Sequence, residues 1–259
     1  MRRACCKSGA MSIAGDAEAA IHHARIGNDS APNGSGGAVY LANGKLNIDN
    51  STIDENVASA EGGAAYVAAG NLTVRHATIV KDRAATGAGI GIFADDDENT
   101  DDPEVYIYNS IIAQNTDTDS ENSVCLTDLL SGNEGNVFED VGCAEAQSAA
   151  APIRIELVPF SGQALPRAVL SRFYRLLEGS PAIDNGVDTD GQMLANDQTG
   201  HNRPEGEGYD SGSFEFDFEE EWDIFFAGSI PSTPAIAANV TLAPRSRPVF
   251  VGQVPESTQ

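Results

Sequence analysis

Apolar and polar residues alternate over short stretches in the first half of the chain, and these stretches recur at a spacing of 26 residues. A segment of the form apolar-polar-apolar is typical of a strand with one buried face. At the common spacing Leu46 is followed by Leu72, and Ile53 is followed by Ile79. The sequence therefore predicts a stack of similar β units whose apolar side chains face one core.

A glycine-rich unit repeats in the same frame. Residues 36–40 (GGAVY) align with residues 62–66 (GGAAY), and the same spacing takes Tyr66 to Ile92. The repeat therefore extends over most of the first half of the chain. The apolar pattern within a unit, whose first and last positions are seven apart, also fits Ala19, Ile21 and Ile26 upstream and, after an intervening loop, Val105, Ile107 and Ile112 downstream.

Each unit also carries two polar markers around its key isoleucine. A small residue comes two positions before it, and an Asp or Asn comes three positions after it. A small side chain and a turn-forming amide or carboxylate at fixed places indicate a corner of a coil. The small residues are Ala24, Ser51, Ala77 and Ser110, and the turn residues are Asp29, Asn56, Asp82 and Asn115.

These patterns predict an all-β fold, a parallel β-helix with about 26 residues per coil. Stacked coils lie one strand spacing apart, so equivalent residues form ladders. The helical patterns and longer periods of ankyrin and tetratricopeptide arrays do not fit. The inward ladders are expected to contain Ile48, Ile53, Val74, Ile79, Ile107 and Ile112.

The chain divides into four predicted parts. Residues 1–18 are interpreted as a leader remnant, and residues 19–149 as the coils. Residues 150–217 are expected to cap the last coil, which would otherwise expose an unpaired strand edge, with a short helix over 165–178. Residues 218–259 hold five of the twelve prolines and are interpreted as a linker or the start of a following domain.

Two groups of motifs resemble known bacterial surface proteins. The GGAVY unit and residues 50–56 (NSTIDEN) resemble the right-handed parallel β-helix repeats of the polymorphic outer-membrane type. Residues 176–184 (LLEGSPAID), 197–204 (DQTGHNRP) and 210–216 (DSGSFEF) resemble the choice-of-anchor Q domain. The resemblance implies a right-handed parallel β-helix of the pectin-lyase-like fold. It also implies that the protein is located outside the cell or on its surface.

The cysteines form two groups. Cys125 and Cys143 lie 18 positions apart in a polar stretch, which favours a disulfide in an oxidising compartment over two free buried thiols. The stretch between them also resembles the cysteine loop of the choice-of-anchor Q domain. Cys5 and Cys6 are adjacent, so we do not expect a bridge between them.

The charge balance excludes several partners. The chain has 15 basic and 39 acidic residues, which gives a net charge of −24. Nucleic acids and anionic membranes are polyanions, so neither is an expected partner. No apolar run is long enough to span a bilayer, and the N-terminus lacks the apolar core of a signal peptide.

Calcium is the one ion whose ligand chemistry the sequence offers, and no cofactor is required. Residues 95–104 hold seven carboxylates, which suit either hard-cation binding or a solvated loop between coils. Asp184, Asp188 and Asp190 match half of a calcium loop. Gly186 stands where a further oxygen ligand is needed, so the match is incomplete.

Strand alternation predicts one polar outward face with recognition chemistry. Its residues are His22, Asp49, Arg75, Tyr106 and Tyr108. Aromatic rings beside a carboxylate and a guanidinium group suit the binding of a sugar chain. The alternative is a solvent-exposed face on which Asp49 and Arg75 form an ion pair between coils.

Three functions compete for this sequence. The first is a non-catalytic surface module, a stalk or adhesin-like piece that binds an extracellular polysaccharide or another surface protein. The second is a polysaccharide lyase or glycoside hydrolase, which needs several acids or a base in one groove. The third is a spacer stiffened by calcium. No residues are assigned a catalytic role, because the acids do not converge on one face.

Overall fold

The structure is a computed structural model that describes residues 9–93, 102–118, 130–138, 153–159, 172–188 and 191–216. Several predictions fall outside these residues. They concern the four cysteines, Asp190, most of the acidic stretch 95–104 and the predicted linker from residue 218 onward.

Four parallel sheets form the walls of a β-solenoid of about four turns, with about 27 residues per coil. The first sheet contains β1 (Met11–Ile13), β5 (Val39–Leu41), β9 (Ala65–Val67) and β13 (Ile90–Ile92). The second contains β2 (Glu18–His22), β6 (Lys45–Asp49), β10 (Asn71–Arg75), β14 (Glu104–Tyr108) and β17 (Leu130–Glu134). The third contains β3 (Arg25–Gly27), β7 (Thr52–Asp54), β11 (Thr78–Val80), β15 (Ile111–Ala113) and β18 (Val137–Phe138). The fourth contains β4 (Ser30–Ala31), β8 (Val57–Ala58), β12 (Arg83–Ala84) and β16 (Thr116–Asp117).

The register of the second and third sheets confirms the predicted repeat. Leu46 pairs with Leu72, and Ile53 pairs with Ile79, at the predicted spacing. Strand alternation turns every second side chain inward, where like residues stack. All six predicted ladder residues are fully buried in one core. The stretch predicted as a leader remnant contains β1, which is in register with β5.

The first sheet departs from the predicted frame by one residue. Tyr66 pairs with Gly91, and Ile92 pairs with Val67, so the expected alignment of Tyr66 with Ile92 is wrong. The loop before β13 is one residue shorter than its counterpart in the preceding coil. The shift keeps an apolar residue inward and places a glycine beside the Tyr66 ring, where an added Cβ would lie 3.1 Å from Cδ2.

A ladder of buried polar side chains lines the corner between the third and fourth sheets. The Asn56 amide oxygen accepts the backbone N–H of Asp29 at 3.0 Å, and its nitrogen donates to the Ile26 carbonyl at 3.2 Å. Asn115 makes the same two contacts two steps along the stack, to the Asp82 N–H and the Ile79 carbonyl. The amides therefore satisfy backbone groups that the turn leaves unpaired.

Asp82 occupies the ladder position between the two asparagines. Its Oδ1 accepts the Asn56 N–H at 2.8 Å and the Asn56 side-chain amide at 2.9 Å. Its Oδ2 is buried without a partner, at the place where an asparagine would present a donor. Burial raises the pKa of Asp82 well above its ordinary value. A protonated Asp82 would regain the missing donor.

The predicted cap lies along the outer face of the third sheet. We call its described residues, 153–159, 172–188 and 191–216, the covering segment. Outward side chains of the third sheet pack with it to form a second core. The residues of this core are Val80, Ile111, Ala113, Val137, Ile153, Phe173, Tyr174, Leu176, Ala182 and Phe214.

An antiparallel hairpin begins the covering segment. It joins β19 (Ile155–Pro159) to β20 (Arg172–Leu176), so the helix predicted over 165–178 is wrong at its C-terminal end. In β20, Phe173 stacks on Phe214, whereas the next residue, Tyr174, donates to the carboxylate of Asp54. The large side chains therefore do not share one side, as they would on the predicted amphipathic helix. The described chain has no helix, and hence none of the length and apolarity needed to cross a membrane.

The remainder of the covering segment hydrogen-bonds to every level of the stack. Each level of the second and third sheets provides one of these contacts. The pairs are Gln198 with Ala24 and with Thr52, Ser213 with Thr78, Gly212 with Asn109, and Ser211 with Gly135. The segment therefore holds five successive levels together from the side.

We expect Ile79→Asp to lower the free energy of unfolding by at least about 4 kcal/mol, because it buries an unpaired charge in a closed stack. Thermal unfolding followed by circular dichroism measures the change. Asn47→Asp on the exposed outer face is the control, expected within about 0.5 kcal/mol of the parent. An unchanged midpoint for the Ile79 variant would refute the inward ladder.

We expect Asp82→Asn to stabilise the protein at pH 7 by about 1–3 kcal/mol, because the new amide supplies a donor at the orphaned position. The folded state raises the Asp82 pKa, so the parent holds the proton that its unfolded chain releases above about pH 4. The stability that Asp82 contributes is therefore complete below that pH and is lost as the pH rises. The advantage of the variant should grow between pH 4 and pH 7.

Urea titrations at several pH values measure this difference. Asn115→Asp is the matched control, because it makes the opposite change one step along the ladder and should destabilise at pH 7 more than at pH 4. A difference between Asp82→Asn and the parent that is constant with pH would contradict a buried, protonated Asp82.

Candidate binding face

The outer face of the second sheet is left uncovered by the covering segment over most of its area, and we call it the binding face. Its outward residues alternate with the inward ladders. They are Glu18, Ala20, His22, Lys45, Asn47, Asp49, Asn71, Thr73, Arg75, Glu104, Tyr106, Tyr108, Gly132 and Glu134.

The predicted site residues fall into two adjacent rows across the strands. The first row runs through His22, Asp49, Arg75, Tyr108 and Glu134. The second runs through Ala20, Asn47, Thr73, Tyr106 and Gly132. The structure thus brings all five predicted residues onto one face, at successive levels of the stack.

Asp49 lies at the centre of a three-residue charge cluster. Its two oxygens each accept a 2.7 Å hydrogen bond from Arg75, from Nε and Nη2, and Nδ1 of His22 lies 3.1 Å from Oδ2. The Asp49 side chain is 5% exposed, whereas those of Arg75 and His22 are 22% and 52% exposed. The carboxylate is therefore held by its neighbours and shielded from a ligand.

The aromatic pair, Tyr106 and Tyr108, forms the second feature of the face. Their ring centroids are 6.4 Å apart and their planes differ by 15°. Both rings lean over Gly132 on β17, where an added Cβ would lie 2.6 Å from the Tyr108 hydroxyl and 2.8 Å from Tyr106 Cδ1. A register shift between Val105 and Tyr106 marks a bulge here. Because Gly132 has no side chain, the two tyrosine rings can lie across β17.

Gly132 and Glu134 complete the aromatic end of the face, and the sequence analysis missed them. Each lies 26 residues after a tyrosine of the pair, the same spacing as in the earlier coils. The repeat could therefore have found them if it had been carried past Ile112. The Glu134 charge acts on the pair, since it adds to burial in raising the pKa of Tyr108.

Two further carboxylates of the coils, those of Asp54 and Asp82, serve the fold. Asp54 is fully buried on the outer side of the third sheet, where Arg25 Nη2 lies 2.6 Å from Oδ2 and the Tyr174 hydroxyl donates at 3.3 Å. Burial raises its pKa, although Arg25 acts in the opposite direction. Asp82 belongs to the corner ladder. Neither acid reaches the binding face.

His76 lies fully buried beneath the covering segment. Its Nε2 is 3.5 Å from the Asn109 amide nitrogen. Burial and the nearby Arg203 hold its pKa well below the ordinary value. Arg203 forms a buried ion pair with Glu215 and donates to the Gly212 carbonyl at 2.8 Å. This cluster joins the covering segment to the coils and offers no access to a substrate.

Two of the three predicted calcium residues, Asp184 and Asp188, are exposed. Oδ1 of Asp184 accepts the Gly208 N–H at 2.7 Å. Asp190 lies outside the described residues. Among the residues that the structure describes, no group of three or more His, Cys, Asp or Glu is placed to hold a metal ion.

Comparisons with known proteins give no relative. No protein-family model, no curated protein and no solved structure matches the chain at a significant level. A function for this chain therefore has to come from the geometry of its faces.

We expect Asp49→Ala to lower the free energy of unfolding by about 1–2 kcal/mol, because it leaves the partly buried Arg75 without its bidentate acceptor. A double-mutant cycle with Arg75→Ala, measured by urea unfolding, isolates the interaction between the two side chains. Lys45→Ala breaks the exposed contact with Glu18 and should change stability by less than about 0.5 kcal/mol. A coupling of zero between Asp49 and Arg75 would contradict a structural role for the pair.

Proposed function

We propose that this chain is a non-catalytic recognition module of a bacterial surface or secreted protein, and that its binding face holds an extended polysaccharide. The single observation that carries the proposal is the aromatic pair on an otherwise polar, uncovered sheet. Tyrosine rings offer a flat apolar surface with a polar edge, which suits the alternating faces of a sugar ring.

The shape of the face favours a polymer over a small molecule. Neighbouring strands lie about 4.8 Å apart, so the five levels of the second sheet present a long, nearly flat strip. Small-molecule sites are usually concave and apolar. A chain of sugar units can contact several levels at once, and the weak contacts at each level add along it.

The bacterial surface location rests on the motif resemblance and on composition. The segments 176–184, 197–204 and 210–216 resemble the choice-of-anchor Q domain, which supports a role in display outside the cell. The net charge of −24 agrees with a protein that avoids nucleic acids and anionic membranes. Another surface protein is the second partner class compatible with an exposed strip.

The enzyme alternative, a polysaccharide lyase or hydrolase, finds less support. An inverting hydrolase needs two carboxyls about 6.5–9.5 Å apart that flank the scissile bond. Asp49 is already bonded to Arg75 at both oxygens. Asp54 and Asp82 are buried elsewhere. Glu104 lines a surface pocket with Asp102 and Ser131, but Glu104 and Glu134 are both exposed, so neither is withdrawn from water as a catalytic acid needs to be.

We expect Tyr108→Ala to weaken polysaccharide binding by about tenfold, the loss that follows from removing one stacking ring. Affinity electrophoresis against a panel of neutral, acidic and amino polysaccharides measures binding, and a reducing-end assay measures cleavage. Tyr40→Ala is the matched control, because it removes a half-buried tyrosine from the first sheet.

Cleavage of any polysaccharide that disappears in Asp49→Asn would overturn the module proposal in favour of the enzyme. Equal loss of binding in the Tyr108 and Tyr40 variants would also contradict it, because the second sheet would then not be the site.

A further inference from the structure

We propose that the binding face selects a polycationic amino-sugar polymer, because the stacked rings of Tyr106 and Tyr108 lie between the exposed carboxylates of Glu104 and Glu134. The inference rests on the proposed function and names its ligand class. It differs from the enzyme alternative, whose usual substrates are polyuronates.

The charges of the face are unevenly placed. At the early levels of the stack, Lys45 Nζ lies 3.5 Å from Glu18, and Arg75 is bonded to Asp49. These two pairs cancel their own charge. At the other end of the face, the exposed carboxylates of Glu104 and Glu134 lie beside the two tyrosines. Two acidic groups are therefore placed next to the rings.

Glu104 follows the strand alternation toward the aromatic pair. It lies two residues before Tyr106 on β14, so both side chains project from the same side of the sheet. The Asn71 amide donates to Glu104 Oε2 at 2.5 Å, which orients the carboxylate without neutralising it. Glu134 is the register partner of Tyr108 on the neighbouring strand, β17. The two carboxylates thus lie on both sides of the rings.

An amino sugar satisfies both features of this site. The apolar face of the sugar ring stacks on a tyrosine, and its ammonium group is attracted to the carboxylates and to the ring faces. A uronate would place its carboxylate beside two others, where like charges repel. A neutral sugar gains the stacking contact alone, so the expected order of affinity is amino sugar, neutral sugar and then uronate.

Gly132 is a positioning residue for the rings. A methyl group at this position would collide with both tyrosines, so Gly132→Ala must move them while leaving every charge in place. This variant separates stacking from the general attraction of an acidic protein for a polycation.

The test is isothermal titration calorimetry at about 0.15 M salt, where charges beyond about 8 Å are screened. The probes are oligomers of β-1,4-linked glucosamine, the same oligomers in N-acetylated form, an oligouronate and an oligolysine of equal charge. We expect glucosamine oligomers to bind about tenfold more tightly than the acetylated form, since two exposed charge contacts are added. The oligouronate and the oligolysine should bind more weakly than either.

Two variants decide the role of the carboxylates. Glu104→Gln with Glu134→Gln should reduce the affinity for glucosamine oligomers to that for the acetylated form. Glu205→Gln with Glu207→Gln removes two exposed charges from the covering segment and should leave the affinity unchanged. Gly132→Ala should weaken the binding of both sugars without changing their order.

Several outcomes would overturn the inference. Equal losses in the two double variants, or oligolysine binding as tight as glucosamine binding, would show a general charge effect. Tightest binding of the acetylated sugar or the uronate would refute the ligand class while the proposed polysaccharide module remains. Failure of all three sugars to bind would overturn the proposed function as well.

Discussion

Every residue of a parallel solenoid lies directly over its counterpart in the next coil, about one strand spacing away. This constraint decides which side chains each position accepts. Inside, aliphatic groups stack and exclude water, as Ile48 does on Val74. Outside, the row through His22, Asp49 and Arg75 alternates in chemistry, so that each charge faces a complementary neighbour. A repeat of identical acids there would repel itself at every level.

The corners meet the same constraint with hydrogen bonds. Two columns of residues adopt a positive φ where the chain turns, and amides beside them complete the backbone hydrogen bonds. These columns contain His23, Asn50, His76 and Asn109, and Asn28, Glu55, Lys81 and Gln114. Asparagine suits the ladder because one side chain offers both a donor and an acceptor. Asp82 breaks the ladder because a carboxylate only accepts hydrogen bonds. Its raised pKa follows from the burial of this carboxylate where the ladder otherwise has an amide.

The recurring apolar pattern was enough to predict the solenoid, its inward ladders and the alignment of His22, Asp49 and Arg75, because equivalent residues of successive coils lie in register. It failed at Tyr66, where a shortened loop moves Gly91 into the tyrosine column. The helix over 165–178 was wrong at its end because the apolar residues there also suit a strand: Tyr174 and Leu176, two positions apart, share one buried face of β20 and belong to the second core. That surface was readable from Val80 and Ile111, apolar residues at positions that a lone solenoid would expose. The near-burial of Asp49 depends on side-chain geometry that periodicity does not encode.

The covering segment changes how such a stack responds to stress. In a plain solenoid each coil touches only its neighbours, so the terminal coils fray one at a time. Here one stretch of chain is bonded to five levels in succession, from Ala24 to Gly135. A coil cannot open without breaking contacts that its distant partners share. The stack of coils should therefore unfold as one cooperative unit. When it is pulled from its ends, it should unfold in a single event and not coil by coil.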